Sequence, residues 1–112
     1  MYMIQKRFLI GLNDKDLLKQ VINTEEAIKK IKQVLFYNGF NYITITEGAG
    51  VYVMESNGAQ VQEKSIKIDI IESFKDHFKH KKQVLNVIKD LKEVLNQESI
   101  GLCISITKAS FK

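Results

Sequence analysis

His77 and His80 are the only histidines of the chain. At a spacing of three they would share one face of a helix and could share a metal. A metal centre needs at least one further ligand and groups to orient it. Asp76 is the only near candidate, and Lys75, Lys79, Lys81 and Lys82 oppose a cation. The segment is therefore expected to be a solvated loop or helix start, with no metal site. Cys103 is the single cysteine, so no internal disulfide forms and a reducing cytoplasm is the expected compartment. It falls on the outward register of its strand beside Ser105 and Thr107, with no base in prospect, so it is not expected to be a nucleophile. Gly48-Ala49-Gly50 lacks the third glycine and the following helix of a dinucleotide loop, and is expected to be a bulge. Glu63 and Asp69 share one register but lie about 20 Å apart along a strand, too far for a hydrolytic pair. No catalytic residue and no cofactor site is expected.

Formal charge is +4. Basic residues gather at Lys29, Lys30 and Lys32 and again at Lys75, Lys79, Lys81 and Lys82. The second cluster is the candidate nucleic-acid contact, binding phosphates with steep salt dependence. The aromatic pair that would stack bases on a sheet is missing.

The elements that would position these groups follow from the hydrophobic rhythm. Ile4, Phe8, Ile10 and Leu12 alternate with polar residues, as do Ile43 and Ile45, then Ile66, Ile68 and Ile70, and finally Ile100, Leu102, Ile104 and Ile106. Ala27, Ile28, Ile31, Val34 and Leu35 recur at helical spacing, and so do Val84, Ile88, Leu91 and Leu95. The order β-α-β-β-α-β is the ferredoxin-like, split βαβ arrangement. Right-handed crossovers then give an antiparallel α+β sheet of order 4-1-3-2 with two helices on one face. Residues 1–112 are expected to form one domain.

The first helix should start at Asn23 or Thr24, with Glu26 completing a capping box, and stop at Asn38-Gly39. The second strand should cover Phe40–Glu47 and continue, bent at the glycines, through Val51–Met54. Ser56-Asn57-Gly58 turns the chain into a third strand from Gln60 to Ile71. Placing Val61 with the even-numbered isoleucines requires a second bulge, making the hairpin long and bent. The second helix spans Lys81–Leu95. The core is expected to hold Phe8, Ile10, Ile31, Leu35, Ile43, Ile45, Ile66, Ile68, Ile88, Leu91, Leu102 and Ile104.

Helices on one side leave the other sheet face bare. Met3, Leu9, Tyr42, Thr44, Ile71 and Cys103 form its outward set, less polar than a wet surface, and are the candidate oligomer interface. No apolar stretch approaches the length of a membrane span.

Gly11-Leu12-Asn13-Asp14-Lys15-Asp16, Gly50-Val51-Tyr52, Glu63-Lys64-Ser65-Ile66-Lys67-Ile68 and Leu95-Asn96-Gln97-Glu98-Ser99-Ile100 resemble stretches of a group of small uncharacterised proteins. These come from phages and integrated mobile elements of Gram-positive bacteria. The resemblance implies that context and no activity. Turns 13–16 and 96–99 are expected at nearby ends of the first and last strands. Taken together, the expected function is that of a non-enzymatic accessory protein acting by protein–protein interaction. It would be a homodimer or other homo-oligomer through its sheet, with a host or phage protein as a further partner. A basic nucleic-acid-binding module and a small-molecule sensor are the alternatives.

Overall fold

The computed structural model describes residues 1–111. Its elements are β1 (Tyr2–Gly11), α1 (Thr24–Tyr37), β2 (Thr44–Val53), β3 (Gln60–Glu72), α2 (Phe74–Lys79), α3 (Lys81–Val94) and β4 (Gly101–Lys108). The strands form one antiparallel sheet in the order β2-β3-β1-β4, the expected ferredoxin-like topology. The even positions of β1 and β3 meet α1 and α3 in a single apolar cluster. Phe8, Ile10, Ile31, Leu35, Ile66, Ile68 and Leu91 lie at its centre. Asn23 caps α1, its side chain accepting from the Glu26 amide at 2.8 Å. Gly39 ends the helix in the left-handed conformation, as its lack of a Cβ permits.

Five local expectations are corrected. Pairing of β2 with β3 runs one-for-one from Thr44↔Asp69 to Val53↔Gln60, so neither bulge exists and the glycines sit within a continuous strand. Val61 accordingly stays on the face opposite Ile66. The second strand begins at Thr44, not Phe40, because Phe40 folds into the core below α2, where its ring meets that of His80 edge-on. The polar stretch after Glu72 contains α2, capped by the Ser73 hydroxyl on the Asp76 amide. Ile104, expected in the core, is 51% exposed, because the helix layer reaches Leu102 of β4 but not Ile104.

Lys6 is the sixth difference and the least expected. It occupies an inward position of β1 and is fully buried. Its ammonium donates to Glu72 Oε2 at 2.8 Å and lies 5.5 Å from the centre of the Phe40 ring. The second oxygen of Glu72 meets His80 Nδ1 at 2.9 Å. These residues tie the middle of β1 and the end of β3 to the junction of α2 and α3.

Burial, reinforced by Lys6 and Lys81 and opposed by Glu72, lowers the pKa of the adjacent His77. An unfolded histidine titrates near 6.5. A depressed folded value means that stability is fully present above about pH 6.5 and declines as pH falls through the folded pKa. Urea unfolding at stepped pH should therefore show that decline. His77→Gln should flatten it, and an equal slope in both proteins would refute the assignment.

Candidate functional site

The four sequence stretches that carry the phage resemblance end at one place. Leaving β1, the chain makes a tight loop: the Asp14 carboxylate accepts from the amides of Asp16 and Leu17, and Leu18 is left-handed. A bridge between Asn13 and Gln20 returns the chain toward α1. Beyond α3, Asn96 also adopts a left-handed backbone, a conformation its short polar side chain tolerates.

That geometry turns the Asn96 amide onto the first loop. Its Nδ2 donates to Asp14 Oδ2 at 2.8 Å and Asp16 Oδ2 at 2.9 Å, while the Asn96 backbone carbonyl accepts from the Lys15 backbone amide at 3.1 Å. The buried Gln97 donates from Nε2 to the Asn13 carbonyl at 2.7 Å. Turns 13–16 and 96–99 are thus adjacent, as expected. The Asn96 hydrogen bond, followed by those from the Leu17 and Asp16 amides, holds the Asp14 carboxyl below the usual carboxylate range.

Glu63 completes the arrangement. Its register on β3, opposite Gly50, puts it on the sheet face away from the helices. There its Oε2 accepts from the Asn13 amide at 3.0 Å. A Cβ at Gly11 would lie 2.5 Å from Glu63 Oε1, so the carboxylate occupies the space that a side chain would fill. A cleft of about 290 Å³ opens here, bounded by Leu9, Gly11, Tyr52, Glu63, Glu98 and Gly101. Gly101 keeps its floor low, since a Cβ there would meet Leu9 Cβ at 3.0 Å. The result is a cleft with fixed carboxylates, one aromatic ring and a ceiling open to solvent. Among the described residues, Lys15 is the one cation in its wall, set against Asp14, Glu63 and Glu98.

Met3, Leu9, Thr44, Ile71 and Cys103 lie on the uncovered face by strand alternation, around a central pair in which Arg7 Nε donates to Asp69 Oδ1 at 2.8 Å. Tyr42 is exposed in the connection before β2. Lys75, Lys79, Lys81 and Lys82 are exposed on α2 and the first turn of α3, at the Glu72 end of β3 and away from the cleft. His77 and His80 gather no third ligand, and no metal-holding cluster occurs among the described residues. Among these residues no helix is long and apolar enough to cross a membrane.

Sequence reasoning noted turns 13–16 and 96–99, Gln97 among them, only as a surface patch, missed Gly11 and Tyr52 as site members, and set Glu63 aside for want of a paired acid. The signal was present in the four resembling stretches, which meet here.

No protein-family model and no curated protein matches the chain. Solved structures do. A phage SAM lyase in complex with S-methyl-5'-thioadenosine is 26% identical, covers 92% of this chain and 80% of its own, and superposes with a TM-score of 0.67. The phage SAM lyase in its apo state is 23% identical, covering 97% of this chain and 91% of its own, with a TM-score of 0.64. GlnK of B. subtilis in complex with ATP is 17% identical, covers 95% of this chain and 82% of its own, and has a TM-score of 0.56. The last two are likenesses of fold.

Proposed function

We propose that this chain binds S-adenosylmethionine in the Glu63 cleft and cleaves it as a lyase, releasing S-methyl-5'-thioadenosine. The observation that carries the reading is the likeness, over most of both chains, to a lyase that holds this nucleoside. S-Methyl-5'-thioadenosine keeps the methyl group, sulfur and adenosyl group of the substrate. The bond broken is therefore the one from the sulfonium sulfur to the γ-carbon of the amino-acid chain. The bonding pair stays on sulfur, which leaves as a neutral thioether and needs no protonation. The remaining four-carbon fragment closes its valence by bonding its own carboxylate oxygen to that carbon or by losing a proton.

Such chemistry asks the protein for position more than for acid or base. Glu63, fixed by the Asn13 amide, meets the positive charge of the substrate, and Tyr52 offers its ring to the adenine. The purified chain incubated with S-adenosylmethionine should release S-methyl-5'-thioadenosine, read by liquid chromatography. Glu63→Gln, which removes a charged contact, should cut the rate about 10- to 100-fold. Absence of release, together with no calorimetric binding of either compound, ends this reading.

A phage or mobile-element origin and a cytoplasmic setting accord with it. The bare face bearing Met3, Leu9, Ile71 and Cys103 favours a second reading, a homo-oligomer that acts by covering a host or phage protein without turnover. Sedimentation of the chain, alone and with Leu9→Glu, tests the self-association. A monomer at every concentration rules it out.

A further inference from the structure

We propose that the free edge of β4, with the groove between it and α3, docks an extended peptide of alternating apolar and acidic residues as a fifth strand of the sheet. β4 ends the strand order, so among the described residues the backbone groups on its outer side have no partner strand. Natural edges are commonly blunted by charge, proline or a bulge. Gly101–Thr107 has none of these: its residues are uncharged, and pairing with β1 runs one-for-one from Leu9↔Gly101 to Tyr2↔Lys108.

The helix-side positions Ile104 and Ile106 are uncovered as well, while Leu102 packs against the core. Ile106 is 64% exposed and Leu85 of α3, beside the same opening, 68%. A cavity of about 280 Å³ between Leu85 and Ile104 is lined also by Val84, His77 and the buried Lys6, with Lys81 among its walls. From Leu85 a wider depression continues along Ile88, Lys89 and Lys92. The floor is apolar in the cavity beside Ile104, and the depression beyond it, lined by α3 and residues of the turns at 15 and 96–98, is polar and apolar in equal parts.

Its charge selects the occupant. Lys81, Lys89 and Lys92 fall within one sector of about 80° on α3, Lys15 adds a further cation, and the carboxylates of the depression are Glu93 and Glu98, at and after the end of the helix. A second copy would bring its own lysines against this sector. An acidic partner strand would instead pair its backbone with β4, set apolar side chains beside Ile104 and Ile106, and offer carboxylates to the lysines. The eight residues of β4 span about 26 Å, enough to hold six to eight residues of such a segment.

The test uses the full chain and a synthetic peptide of about eight residues alternating valine and glutamate. Amide exchange at Leu102–Ile106 should slow at least tenfold on adding it. Lys89→Glu combined with Lys92→Glu should weaken binding at least tenfold, and the exposed Ile104→Asp or Leu85→Glu should abolish it. Three results overturn the proposal: equal binding of the valine–lysine peptide, protection of β4 that rises with protein concentration alone, or preferential binding of oligothymidylate at this groove. All three readouts are independent of lyase activity.

Discussion

Lys6→Met should lower the unfolding free energy by about 3–5 kcal/mol, a shift of roughly 10–20 °C in melting temperature for a domain of this size. Methionine keeps the length and apolar stem of the side chain, so the loss is that of the ammonium alone. The cost arises from what stays behind. Glu72 is 8% exposed, and without Lys6 one of its oxygens has no cationic partner. The other remains on His80. Burying a charge without compensation is expensive, whereas burying a matched pair is close to neutral against well-packed apolar groups. The double variant Lys6→Met/Glu72→Leu should therefore recover most of the stability that the single variant loses. Denaturant unfolding of the four proteins of the cycle measures this directly. A single variant within about 0.5 kcal/mol of the parent would show that water reaches Glu72 and that the ion pair is not what joins β1 to the α2–α3 junction.

The same residue shows why some of this molecule was legible in its sequence and some was not. Periodicity reports which face a residue occupies, and every alternating run found its strand. Leu91 and Ile31 reached the core because helical spacing fixed them there. Periodicity does not report how far a covering layer extends. Ile104 keeps perfect alternation yet is exposed, since α1 and α3 shield the central strands and, on β4, reach Leu102 but not Ile104 or Ile106. Nor does it admit a charge inside: Lys6 sits on the inward register between Ile4 and Phe8, and only Glu72, 66 residues away, makes that tolerable. The glycines misled for a related reason. Gly48 and Gly50 read as a bend because a strand gains little from them, but their register shows ordinary pairing beside Ser65 and Glu63. The cleft was hardest to read, since its members come from β1, β2, β3 and the turn after α3, and no local spacing joins Gly11 to Glu63 or Asn13 to Gln97.

Gly11→Ala separates the cleft from the fold, and the expected outcome is a stable protein with an empty function. The added Cβ would sit 2.5 Å from Glu63 Oε1, closer than real atoms approach. What it meets, however, is the tip of a flexible side chain, and that tip can swing into solvent. The strand itself is not strained, because Gly11 lies outside the positive-φ glycines. Alanine also reduces the freedom of the unfolded chain, which partly offsets the lost Asn13–Glu63 hydrogen bond. The melting temperature should therefore move by only about 5 °C. The displaced carboxylate should cost about as much as its removal, 10- to 100-fold in the release of S-methyl-5'-thioadenosine. If both changes act through one group, they do not add: Gly11→Ala/Glu63→Gln should be no slower than Glu63→Gln alone. Multiplying losses would mean that Gly11 makes room for the substrate rather than for Glu63. Full turnover in Gly11→Ala would mean that the carboxylate does not work from the place where the Asn13 amide holds it.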